Sequence, residues 1–96
     1  MGKYLIEVPH EASESACVNA VRVFMETGSH FLTKADWGCH DGEHKAWLLV
    51  EVDNKDQASQ IIPPVFRSEA KIIKLHTFTR EEMDNMEEVH TEKHTG

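Results

Sequence analysis

Apolar and polar residues alternate from the first positions of the chain. Between Lys3 and Val8, Tyr4, Ile6 and Val8 fall on one side and Lys3 and Glu7 on the other, the two-residue period of a half-buried strand. Pro9 closes that strand. The period then lengthens. Cys17, Ala20, Val21, Phe24 and Met25 recur at helical spacing, which predicts an amphipathic helix. Ser13 or Ser15 caps its start by accepting a backbone N–H, and Gly28 is a natural terminator. Phe31 to Cys39 and His44 to Val52 read as the two arms of a hairpin. The Asp41-Gly42 pair predicts a two-residue type I′ turn between them. In that register Cys39 faces His44, Trp37 faces Ala46, Ala35 faces Leu48, Thr33 faces Val50 and Phe31 faces Val52. Asp53 or Asn54 caps a second helix reaching about Ile62, with Ala58, Ile61 and Ile62 as its apolar side. Pro63-Pro64 stops it, since neither nitrogen can donate. Lys71 to Phe78 is the last strand, with Ile73 and Leu75 facing inward. Thr79-Arg80-Glu81-Glu82 is a capping box that opens a short acidic helix carrying Met83, Met86 and Val89.

The predicted order is βαββαβ. Right-handed crossovers convert it into an α+β fold: a four-stranded antiparallel sheet of spatial order 4-1-3-2, with two helices on one face. That is the ferredoxin-like plan, spanning residues 1–79, with an acidic C-terminal helix and tail over 80–96. The other face of the sheet has no helix to cover it. It is expected to show Leu5, Leu32, Trp47, Leu49, Ile72 and Phe78, interleaved with Glu7, Lys45, Glu51, Lys74 and His76. An exposed apolar patch with aromatic residues marks an interface. Two copies are expected to pack there sheet to sheet, through Leu5, Trp47, Leu49, His76 and Phe78.

Composition narrows the function classes. The chain has 96 residues and a net charge of −7 with no basic block, which argues against nucleic-acid binding. No apolar run reaches the roughly 20 residues of a membrane span, and the N-terminus enters a strand directly instead of forming a signal peptide. Two cysteines in a leaderless chain predict reduced thiols and a cytoplasmic location.

The topology gathers chemistry at one edge. His10 shares parity with Tyr4, Ile6 and Val8, so it points toward the helices, as do Cys39 and His44 in the hairpin register. Cys17 arrives from the first turns of the covering helix. Neighbouring strands lie ~4.8 Å apart, a spacing that a tetrahedral ion bridges. His10, Cys39 and His44, with Cys17 as a fourth ligand, are therefore a candidate site for Zn²⁺, Ni²⁺ or Cu⁺. The same residues carry two other readings. Cys17 near a helix N-terminus, or Cys39 beside His44, can be held as a reactive thiolate, with Arg67 and Lys71 as anion contacts for a small-molecule ligand. Alternatively both thiols pack as small hydrophobes. His90 and His94, four apart in the tail, share one side of a helix and allow at most an adventitious metal contact.

Trp37-Gly38-Cys39 with Gly42 and His44, together with Ile62-Pro63-Pro64-Val65-Phe66-Arg67, resemble stretches of small uncharacterised bacterial proteins of the dimeric α+β barrel class. The resemblance covers residues 3–79 and rests chiefly on architecture. It implies ferredoxin-like units paired through their sheets. The wider superfamily includes muconolactone isomerases and cofactor-independent monooxygenases, and other members bind metal. The resemblance thus leaves three functions open: metal binding, a cofactor-free isomerase or monooxygenase with a pocket between sheet and helices, and a non-catalytic interaction module.

Overall fold

The structure, a computed structural model, describes residues 1–27 and 29–95, with side chains up to Glu87 in the last helix. Gly28 and the side chains of Val89, His90 and His94 lie outside the described residues. Strand β1 (Gly2–Pro9) is the centre of the sheet. It pairs antiparallel with β3 (Lys45–Val52) on one side and β4 (Lys71–Leu75) on the other. A short β2 (Asp36–Trp37) extends β3, giving the order β2-β3-β1-β4, which from the β4 edge reads 4-1-3-2. The chain is α+β.

The strand alternation sets the core. Tyr4, Ile6 and Val8 stand opposite Val50, Leu48 and Ala46, and all six are buried. Helix α1 (Glu14–Thr27) lays Ala20 and Phe24 over this face, and Phe24 is fully buried. Ser13 caps α1, its hydroxyl accepting from the Ala16 N–H at 3.1 Å. Helix α2 (Lys55–Ile61) adds Ala58, and Ile62 follows it into the same core. Asn54 caps α2 through the Gln57 N–H, and the Gln57 side chain accepts from the Asp53 N–H, both at 2.9 Å. A four-residue helix α3 (Pro64–Arg67) follows the two prolines, where the sequence suggested only a stop. Of the expected α1 stripe, Met25 is exposed and Val23 is half-buried in its place.

Three expectations are corrected. The strand over Phe31–Cys39 contracts to Asp36–Trp37, so the Ala35–Leu48, Thr33–Val50 and Phe31–Val52 pairs do not form. Leu32–Lys34 is a 3-10 turn that drops Leu32 into the core at 1% exposure, away from the open face. Burying one Leu is worth about 1.5–3 kcal/mol. The Thr33 hydroxyl donates to the His30 carbonyl at 2.8 Å, a local bond that competes with a ladder. Second, the facing of β4 is inverted. Ile72 stands opposite Ile6 and packs on the core, while Ile73 and Leu75 stand opposite Leu5 and Lys3 on the open face. Lys74 moves to the covered side, opposite Tyr4, exposed at the edge of the sheet. Adjacent isoleucines carry no two-residue period, so only pairing with β1 decides which turns inward. Third, the strand ends at Leu75 and not at Phe78.

The open face therefore presents Leu49, Leu5 and Ile73 in one row, with Trp47, Glu7 and Lys71 in the next. The Trp47 indole N–H donates to Glu7 Oε1 at 3.2 Å, and Lys45 Nζ lies 3.6 Å from the same oxygen. Helix α4 (Arg80–Thr95) is longer than expected. Its capping box forms: the Glu82 N–H donates to the Thr79 hydroxyl at 3.1 Å. Met83 and Met86 on α4 are exposed, and the chain is 57 Å long with a radius of gyration of 17.8 Å. A compact domain of 100 residues has about 13 Å. Among the described residues, no helix is long and apolar enough to cross a membrane.

Candidate metal and thiol site

The β1–β3 ladder runs one step past its last strand residues. The His10 N–H donates to the His44 carbonyl at 3.0 Å, so the two histidines face each other directly after the Pro9–Lys45 pair. Both continue the covered face of the sheet, as their parity predicts. The rings meet edge to face, with centroids 5.7 Å apart.

Cys39 arrives by a different route from the one expected. A type I′ turn needs positive φ at both central residues. Here only Gly42, at φ 80°, is left-handed, and Cys39–Asp41 forms a 3-10 turn between Gly38 and Gly42. The Glu43 and Asp41 N–H groups both donate to the Gly38 carbonyl at 3.0 Å, closing a wider loop. Gly38 is sterically required. A Cβ there would lie 2.7 Å from the Trp47 ring and 2.8 Å from the Glu43 carbonyl. Cys39 thus leaves the strand ladder, yet the loop still carries its sulfur to the histidines. His10 Nε2 lies 3.1 Å from Cys39 Sγ. Ligand atoms of His10, Cys39 and His44 all lie within 4.8 Å of one another.

The orientation of His10 follows from its other contact. Nδ1 lies 2.9 Å from the Glu11 carbonyl, which can only accept, so Nδ1 donates there. That turns Nε2 toward the Cys39 sulfur. This is the arrangement found around metal-binding histidines, whose second nitrogen is anchored by a backbone carbonyl. Trp37 supports the ring from one side at 6.1 Å between centroids, and Phe24 packs on Trp37 at 4.9 Å. Nδ1 of His44 is buried and has no hydrogen-bond partner. An orphaned buried polar atom costs about 1–3 kcal/mol, and a bound ion or donor would recover that.

Cys17 reaches the site from α1 and is joined to Cys39 in a disulfide, with Cα atoms 6.8 Å apart. The expectation of two reduced thiols is corrected here. In this form Cys17 is not a fourth ligand, and Cys39 offers no thiolate. The cysteine pair opens onto a cleft of about 550 Å³ lined by Ser13, Glu14, Val18, Val21, His40 and His44. The 3-10 turn brings His40 to this cleft as well. No sequence period signals that placement, because it depends on the loop conformation.

Of the proposed anion contacts, Arg67 is engaged elsewhere and Lys71 lies on the other face of the sheet. The Arg67 guanidinium donates to the Ser59 and Ile62 carbonyls at 3.0 and 2.9 Å, closing the C-terminal end of α2. Lys71 stands opposite Glu7 on the open face, behind the sheet from His10. His76 lies beyond β4, bonded to Glu82 Oε2 at 2.7 Å and edge-on to Phe78. That hydrogen bond, then the imidazole's charge and the bonds from Thr79, hold the Glu82 carboxyl below its ordinary value. Comparison of the chain with known protein families, with curated proteins and with solved structures finds no match.

Proposed function

We propose that this chain is a metal-binding protein whose reduced form holds a transition ion through His10 Nε2, Cys39 Sγ and a ring nitrogen of His44. The carrying observation is the convergence of these three donors within 4.8 Å. Donors on a tetrahedral ion with bonds of about 2.0–2.3 Å are roughly 3.3–3.8 Å apart, so small side-chain rotations close the site. Two imidazoles and a thiolate select Zn²⁺ first, with Cu⁺ and Ni²⁺ as competitors. The Glu11 carbonyl behind His10 and the unpartnered His44 nitrogen support the same reading.

A cofactor-free isomerase or monooxygenase needs an apolar chamber between sheet and helices. Phe24 instead packs ring against ring with Trp37 and with Phe66, at 4.9 and 5.9 Å. That packing favours metal binding over the enzyme reading. The sheet is read as a ferredoxin-like unit, with a second copy over the open face at Leu5, Trp47 and Leu49, joined by Ile73 and Leu75. Leu49 at 61% exposure and Ile73 at 39% support that pairing.

The test is metal content of tag-free protein purified under a phosphine reductant. Wild type is expected to carry about one ion per chain, and Cys39→Ser and His44→Ala to lose it. Full retention in both variants refutes the proposal.

A further inference from the structure

The sulfur of Cys39 has two claims on it. It is one half of the Cys17 disulfide and also the only sulfur among the three clustered donors. A disulfide sulfur is neutral and carries no thiolate charge, and the thiolate is the metal ligand. Both claims cannot be met at once. We infer that metal occupancy is gated by the redox state of Cys17 and Cys39: the disulfide form excludes the ion and the dithiol form admits it. This inference rests on the metal reading above.

The geometry makes the two states interchangeable with little movement. His10 is anchored through Nδ1 to the Glu11 carbonyl, and Nε2 is already 3.1 Å from Cys39 Sγ. The His44 main chain is held by the backbone bond to His10, and the two rings meet edge to face at 5.7 Å. The Glu11 bond and the ring contact do not run through the disulfide. What changes on reduction is the charge and valence of one sulfur. Without it two imidazoles remain, too few donors for a tight tetrahedral site. With it, the trio is complete and Cys17 is released beside it as a further thiol.

The disulfide is also reachable. Cys17 and Cys39 both line the cleft of about 550 Å³, together with Val18, Val21, Ser13, Glu14 and His40. A thiol of general form RSH fits there as the reductant. Its thiolate attacks Cys17 Sγ, forms a mixed disulfide and expels Cys39 as a thiolate, which takes up the proton released by RSH. A second thiol displaces Cys17 and leaves as RSSR. The protein gains two electrons and two protons, and the two thiols lose the same. Binding of the ion then displaces the Cys39 proton to solvent. A disulfide RSSR runs the sequence backward: the Cys17–Cys39 bond reforms, two RSH are produced and the ion is set free. Under a glutathione-buffered poise, disulfides are usually of this transient, sensing kind.

Co²⁺ is the probe, because a thiolate-to-metal charge-transfer band reports a sulfur ligand directly. Tag-free wild type is titrated after oxidation and after reduction by a phosphine, beside Cys17→Ser and Cys39→Ser. Reduced wild type is expected to develop the band, and the oxidised form to bind on the order of 100-fold more weakly without it. Cys17→Ser cannot form the bridge but keeps all three donors, so it binds without any reductant. Cys39→Ser shows no band in either state. Equal binding by oxidised and reduced wild type, with the band present in the reduced form, overturns the gating and leaves the metal reading standing. No binding by reduced wild type or by Cys17→Ser overturns both. Should Cys17→Ser fail to fold, wild type across a glutathione series decides the matter. Uptake must rise with the free-thiol count, and uptake that saturates while the thiols remain oxidised overturns the gating.

Discussion

Opening the disulfide in metal-free protein removes a cross-link between residues 22 apart in sequence. Chain entropy alone sets the scale: a closed loop of about 23 residues lowers the entropy of the denatured chain by roughly 11 cal/mol/K, or about 3.4 kcal/mol at 25 °C. A domain of this size is stable by only about 5–14 kcal/mol, so a large share of its stability is at stake. The midpoint of thermal unfolding is expected to fall by roughly 15–20 °C. On the native side little is lost. His44 Nδ1 is unpartnered with the bridge intact, and His10 keeps its bond to the Glu11 carbonyl. The assay is urea unfolding with chelator present, comparing oxidised protein, phosphine-reduced protein and Cys17→Ser. The last two should agree and fall below the first. Zn²⁺ at about 100 times the reduced-form Kd should then return about 2.7 kcal/mol to both reduced forms and only about 0.4 kcal/mol to the oxidised one. Coincident curves for oxidised and reduced protein would refute the entropic argument. Equal stabilisation of all three samples by zinc would refute the link between bridge and metal.

Three further outcomes are expected. Gly38→Ala forces a Cβ to 2.7 Å from the Trp47 ring, so it should cost about 1–3 kcal/mol in urea unfolding and weaken zinc binding by moving Cys39. The Glu82 carboxyl is held below its ordinary value chiefly by the His76 hydrogen bond, so its contribution to anchoring α4 is present above the usual carboxylate range. Helicity followed by far-UV circular dichroism should fall as pH drops through about 4.5 and below, and His76→Ala should flatten that step. Leu49→Lys places a charge in the open-face row of Leu5 and Ile73. On the proposed sheet-to-sheet pairing, sedimentation should show wild type as a dimer and this variant as a monomer, with metal content unchanged, because the site lies across the sheet.

The parts legible in the sequence are those where one period serves one face. Tyr4, Ile6 and Val8 alternate cleanly, and extending their parity to His10 places its ring under the helices, opposite His44. Trp37 opposite Ala46 is also recovered, because both flank the reversal at fixed offsets. Ambiguity enters where neighbours are both apolar. Phe31-Leu32 and Ile72-Ile73 each permit either facing, and tertiary packing decides. The reversal itself is misjudged because Asp41 would need positive φ, and a loop with Gly42 alone left-handed avoids that cost. Cys39 still meets His10 and His44, since the wider loop ends over the same strand edge. The pairing of Cys17 with Cys39 has no local signal. Residues 22 apart meet only once α1 lies on the sheet, and the sequence allows thiol, thiolate ligand and disulfide alike.

The most direct test is an anomalous-scattering map, at the zinc edge, of crystals of the reduced protein grown with Zn²⁺. One peak is expected about 2.0–2.1 Å from nitrogens of His10 and His44 and about 2.3 Å from Cys39 Sγ. A map with no peak at these three residues, the Cys17–Cys39 bond being open in the same crystal, contradicts the account.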